Sequence, residues 1–353
     1  MANTLTGRIA VLLAGVLFLI SLGFASGDDA ATSVRAPSAR FLEHAAPLDA
    51  TRVAQAAPSF RGGPITTPSG EVVDVRVSDS LPPETATPEG WAQFIGGLTH
   101  GAEITALTTF VVSFAEVQEI CGSRALGCYG GNRMVVPGEV VSGISPEEVV
   151  RHEYGHHIAF HRTNAPWAAI DWGPKRWASA ASICAKVSRR EAYPGDQGSN
   201  YARNPGEAWA ETYRLMDERK AGISTASWPI IAPSFFPDDA RLAAAEQDVV
   251  APWTAQRTTT STRVFGKRTP KAWLLPVTAT LDGDYRISAT LPNGGTYDVT
   301  LVGSDRHTVL KRAQWVGQRV KRVEGSICGQ RGLFVRVTQK TGLGRVRISV
   351  TTP

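Results

Sequence analysis

Four of the seven histidines fall within ten residues: His152, His156, His157 and His161. Inside that cluster, His152-Glu153-Tyr154-Gly155-His156 is an H-E-x-x-H. On an α-helix, positions i and i+4 face the same way, so His152 and His156 can both present nitrogen to one tetrahedral ion. Glu153 follows the first of them, where its carboxylate can reach a water on that ion and take its proton. Residue frequencies alone would produce the pattern about once in a hundred or more chains. A histidine-rich helix face is also compatible with plain surface, or with a hydrogen-bonded core histidine. A third ligand separates these readings.

Several residues compete for that place. His161 stands five residues beyond His156, whereas the metzincin pattern needs Gly three and His six residues on. Ala159 and Arg162 occupy those positions, which excludes the class. Asp171 and Asp196 lie in Gly/Pro-rich surroundings with no supporting pattern. Glu207, 51 residues after His156, opens a helix, with Glu211 one turn on and on the same face. One carboxylate could ligate the ion while the other orients a ligand histidine. Glu207 is otherwise a helix cap, and Glu211 a solvated ion pair with a cation such as Lys175. Beside an H-E-x-x-H helix, ligation by Glu207 is the favoured reading.

The pair His152–His156 and Tyr201…Glu207-Ala-Trp-Ala-Glu211-Thr-Tyr-Arg-Leu-Met216 resembles the gluzincin metallopeptidases. Within them it is most similar to the anthrax lethal factor catalytic-domain type, over about residues 130–217. The resemblance implies a zincin-like domain in which His152, His156 and Glu207 bind Zn2+ and Glu153 is the general base. It also implies that Tyr201 donates to the oxyanion. The intervening stretch shows no further likeness, so no substrate is carried over beyond a peptide or protein.

The elements that must hold these residues are legible from caps and periodicity. Ser145-Pro146-Glu147-Glu148 is a capping box with proline at the first helical position, predicting a helix from Pro146 to about His161. A second helix is expected over 175–190. A third is expected from Asn204-Pro205 to about Lys220. Upstream, Val72–Val77, Leu107–Phe114 and Asn132–Val136 read as strands, with a short helix after Pro88. Asn132–Val136 is the strand expected to pair with an extended peptide by edge addition. After Pro252 the chain changes to short β runs at Val277–Leu281, Tyr285–Leu291, Tyr297–Val302, Leu333–Thr338 and Arg345–Val350, broken by Asp-Gly, Asn-Gly-Gly and Thr-Gly turns. The expected fold class is α+β: a zincin-like metallopeptidase domain over 71–252, then an all-β sandwich-like domain over 253–353.

Residues 1–26 have the order of a secretory signal peptide, with an unbroken apolar run over 9–20 and small residues at 21–26. An uncleaved membrane anchor is the alternative. Cleavage would leave a secreted protein with no stable membrane insertion. Residues 27–70 read as a linker or pro-segment. Cys121, Cys128, Cys184 and Cys328 are an even count that suits an oxidising compartment. Four cysteines permit three pairings; Cys121 and Cys128 can close a short loop, and in that pairing Cys184 and Cys328 would tie the two modules together. None has zinc-site spacing.

With 353 residues, 42% apolar and 20% charged, the chain excludes wholesale disorder and a polytopic membrane protein. Residues 1–252 hold 20 Lys+Arg against 27 Asp+Glu, and 253–353 hold 17 against 5. This division argues for two modules rather than for nucleic-acid binding by the whole chain. The basic module is a candidate for an anionic surface, unless its basic face docks on the acidic module or is simply solvated. The function expected is a secreted zinc endopeptidase. The alternative is a secreted binding or scaffold protein with a structural or vestigial metal site.

Overall fold

The computed structural model describes residues 50–57, 59–224 and 230–353, all within one compact unit. The expected signal peptide and most of the expected linker lie outside the described residues. The architecture is α+β. Its first half contains α1 (Ala50–Ala56), β1 (Phe60–Thr66), β2 (Val72–Ser78), α2 (Pro88–Gly96), β3 (Thr108–Val112), α3 (Phe114–Cys121), β4 (Cys128–Gly130), β5 (Arg133–Pro137) and α4 (Pro146–Phe160). It continues through α5 (Ala169–Trp172), α6 (Lys175–Ala180), α7 (Ile183–Ser188), α8 (Pro205–Lys220) and α9 (Asp239–Val250).

The first sheet has the order β1-β2-β3-β5-β4, parallel in its middle pairs and antiparallel at both edges. Alternation along the strands fills two cores. Val73, Val75, Val77 and Val111 share a core with residues of α2, α4 and α8, while Phe110, Val112 and Val135 face α1 and α3. Two sequence expectations change here. β1 pairs with β2 throughout, so the sheet begins inside the stretch read as linker; its Gly62-Gly63-Pro64 obscured the alternation. Asn132–Val136 is not a free edge either. β5 is bonded on both sides, and the short antiparallel β4 takes the edge.

α4 is capped as the sequence predicts. Ser145 Oγ accepts from Glu148 N, and Glu148 Oε2 accepts from Ser145 N. The helix expected over 175–190 is instead two short ones. The break falls at Ser182, which has φ of 56°, where no intrahelical ladder continues.

The second half is β6 (Arg257–Phe265), β7 (Ala272–Val277), β8 (Gly283–Thr290), β9 (Thr296–Val302), β10 (Val309–Arg312), β11 (Gln314–Trp315), β12 (Val320–Ile327), β13 (Leu333–Thr341) and β14 (Gly344–Thr352). Two antiparallel sheets, β10-β9-β13-β7 and β11-β12-β8-β14-β6, share one core built from Val299, Leu301, Val335 and Val337 against Ile287, Val323, Ile348 and Val350. Residues 278–281, expected to be strand, form the connection after β7. β6, β10, β11, β12 and all but the last residue of β7 were not expected; the Thr-rich β6 is an edge strand exposed along most of its length.

The halves are joined by the Cys184–Cys328 disulfide, and Cys121–Cys128 closes the other predicted pair. Disulfides of this kind belong to an oxidising environment. At the junction the ammonium of Lys175, fully buried, donates to Ala165 O at 2.6 Å and Asp282 O at 2.8 Å, and lies 4.8 Å from the Trp253 ring centre. Asp282 N donates back to Ser179 Oγ at 2.9 Å. No helix among the described residues is long and apolar enough to cross a membrane.

Candidate metal centre

Two helices build the site. α8 is buried from Pro205 to Glu218, and α4 from Val149 to Ala159. They touch at Gly155, where an added Cβ would stand 2.7 Å from Ala210 Cα, so only glycine permits the approach. Trp209 Nε1 fixes the crossing by donating to Gly155 O at 2.7 Å. Asn204 caps α8 by accepting from Gly206 N, which frees Glu207 from capping and turns its carboxylate toward α4.

Three atoms converge as a result. His152 Nε2 and His156 Nε2 lie 3.2 Å apart, and Glu207 Oε2 lies 3.3 Å and 3.2 Å from them. A four-coordinate ion bound at about 2.0–2.1 Å spaces its ligands about 3.3 Å apart. The triangle therefore already has the size of such a coordination sphere, and the three residues form a group able to hold a metal ion.

The surrounding hydrogen bonds agree with that use. His152 Nδ1 donates to Glu211 Oε1 at 2.8 Å; a carboxylate only accepts, so the neutral ring presents a lone pair at Nε2. That lone pair faces a carboxylate oxygen, an arrangement that needs a proton or a cation between them. Gln197 Nε2 donates to Glu207 Oε1 at 3.0 Å, and Tyr201 OH donates to Oε2 at 2.9 Å. Glu153, Glu207, Glu211 and Glu218 are each only 1% exposed, and Arg214 is the guanidinium buried among them. An excess of buried negative charge also calls for a cation.

Arg214 donates to Glu211 Oε2 at 2.9 Å and to both oxygens of Glu218 at 2.9 Å. Burial alone would raise Glu211, but the Arg214 charge and the bond from His152 hold it down at about 2. Glu207 is also held below its usual value, its burial outweighed by the two imidazoles.

Each residue predicted from sequence can now be placed. His152, His156 and Glu207 meet, Glu211 supports His152, and Tyr201 reaches Glu207. Glu153 lies against the backbone of Gly127, where a Cβ would fall 2.8 Å from its Oε1. Glu211 pairs with Arg214 and not with Lys175, which belongs to the junction. The other two clustered histidines do not join the site. His157 contacts Tyr129 OH and Glu103 O, with burial pushing it down to about 4, and His161 contacts Asn132. Sequence reasoning missed Gln197, Arg214 and Glu218. Arg214 and Glu218 sit three and seven residues past Glu211, a spacing that marks one helix face. Gln197 carries no such signal.

No protein-family model and no curated protein matches the chain. Among solved structures, part of the chain is similar to the pre-peptidase C-terminal domain of collagenase from Bacillus anthracis, at 17% identity and a TM-score of 0.22. The match covers 27% of this chain and 89% of that one, and a likeness so slight carries no argument.

Proposed function

We propose that this protein is an exported zinc metallopeptidase of the gluzincin kind, with a zincin-like catalytic half and a β-sandwich accessory half. The observation that carries the reading is the 3.2–3.3 Å triangle of His152, His156 and Glu207 across α4 and α8. Two histidines and a glutamate are a donor set of catalytic zinc, and three protein ligands leave a coordination position that four-ligand structural sites close. The group found among the described residues has three members, which favours an enzyme over a scaffold with a structural metal. Bound there, zinc would supply Lewis acidity and hydroxide at neutral pH.

The chain's own groups do the rest. Glu153, next to His152 and buried, takes a proton from the attacking water and returns it to the leaving amine of a peptide or protein substrate. Tyr201, whose hydroxyl already lies at the ligand triangle, is the donor assigned to the developing oxyanion. Glu211 and Gln197 hold His152 and Glu207 in register. Two disulfides and the apolar run at 9–20 support export.

The test is Glu153→Gln. Turnover of a mixed peptide library should fall by about a hundredfold to ten-thousandfold while zinc content stays at the parent level. Loss of zinc from the variant, or retained turnover, would contradict the role of Glu153 as base alone.

A further inference from the structure

Residues 253–353 carry 17 Lys+Arg against 5 Asp+Glu, and the fold decides what that excess can meet. The junction uses little of it, Arg331 pairing there with Asp282. The two halves are held by a disulfide, by Lys175 from the helical side and by the Ser179–Asp282 bond. Among the described residues, the ion pairs made by Lys and Arg of 253–353 all fall within that half: Arg286 and Arg322 with Glu324, Arg331 with Asp282, and Lys340 with Asp298. Apart from Arg331, the basic surface is therefore not spent on the acidic half.

Strand register fixes where the remaining cations lie. Gly283 pairs with Ile327, and the connections after β7 and β12 reach the junction at that end. Thr290 paired with Val320, and Phe265 paired with Gly344, mark the opposite rim of the five-stranded sheet. Four apolar side chains stand in solvent on this far rim: Val264 at 55% exposure, Leu343 at 48%, Trp315 at 52% and Val316 at 51%. The first two share the corner where β6 and β14 end. The other two hold the corner at the β11–β12 turn, four strand spacings or about 19 Å away. Cations flank both corners. Arg345 lies opposite Val264, and Lys267 and Arg268 follow in the next turn. Lys321 Nζ sits 4.8 Å from the Trp315 ring centre while donating to Tyr297 O at 2.8 Å, and Arg319 beside it donates to Leu291 O at 2.9 Å.

Nucleic acid or an acidic polysaccharide would answer the cations but offers no hydrocarbon to half-exposed valine and leucine. A charged layer over an apolar one answers both. Tryptophan with a neighbouring cation is at home at such a boundary. We propose that the far rim of the β half docks on an anionic lipid bilayer. Val264 and Leu343 enter the boundary between headgroups and acyl chains, Trp315 anchors the second corner, and Lys267, Arg268 and Arg345 meet lipid phosphates. The rim lies at the end of the β half remote from the helical half, so the metal centre would remain in solution above the surface.

The test uses the chain from residue 27 onward, which contains the whole described fold and omits the apolar run at 9–20. It is sedimented with phosphatidylcholine vesicles, with and without phosphatidylglycerol. Binding should require phosphatidylglycerol and weaken with salt. A K267Q/R268Q variant should bind more than about tenfold more weakly, at roughly fivefold per charge. L343S should weaken binding while leaving its salt dependence unchanged, with the same thermal transition as the parent. Absence of vesicle binding, or full binding by L343S, would overturn the proposal. So would capture by polygalacturonate or duplex DNA that anionic vesicles fail to displace.

Discussion

The metal centre and the far rim of the β half handle charge in opposite ways. At the centre, four carboxylates and one guanidinium are withdrawn from water, held between two helices that meet closely at Gly155 and by Gln197 and Tyr201 beside them. At the rim, Lys267, Arg268 and Arg345 stand in water beside apolar side chains, without carboxylate partners among the described residues. A buried charge must be matched within the protein, because desolvation penalises any mismatch heavily. An exposed charge is free to await a partner. Side chains at the centre should therefore respond strongly to single substitutions, while those at the rim should alter binding and leave stability alone.

The largest effect on stability is expected at Arg214. Replacing it with Met leaves Glu218 and Glu211 buried without their guanidinium, Glu211 keeping the bond from His152, which should cost about 3–5 kcal/mol in chemical denaturation. A cost as small as that of a surface substitution would mean the site is wetter than its burial indicates. Next comes Glu211→Gln, which weakens the hold on His152 without removing a ligand. Competition with a chelator should show metal affinity falling about tenfold to a hundredfold, and an unchanged affinity would detach Glu211 from the centre.

Lys175 offers a smaller and more diagnostic comparison, since it is a buried cation outside the metal centre. Lys175→Met removes the donor from two junction carbonyls and should cost about 1–3 kcal/mol. Its pH signature is separate. Burial lowers Lys175 from its ordinary 10.5 to about 8, so between those values the folded chain binds fewer protons than the unfolded one. Stability should therefore rise with pH across that window in the parent, and the rise should be missing in the variant. Urea unfolding at several pH values reads both effects, and an equal slope in the two chains would contradict the assignment.

The same contrast explains what the sequence could reveal. The metal helix was legible because Ser145, Pro146 and Glu148 announce its start and the helical period places His152 and His156 on one side. Glu207 and Glu211 followed by the same rule. Gln197 was not legible, because an irregular loop has no period to say where a side chain points. The junction of the two halves was half legible: the cysteine count left Cys184 for Cys328, but nothing identified Lys175 as its partner in the contact. β6 was missed because an exposed edge strand needs no apolar alternation. The rim was hidden for a different reason, since Val264, Trp315 and Leu343 come together only through strand order.

The most direct test of the central claim is the zinc content, by elemental mass spectrometry, of the chain from residue 27 onward and of its Glu207→Ala variant. The account predicts about one zinc per chain in the parent and clearly less in the variant. A parent that takes up no zinc even after reconstitution, or a variant that retains the full amount, would contradict the three-ligand centre.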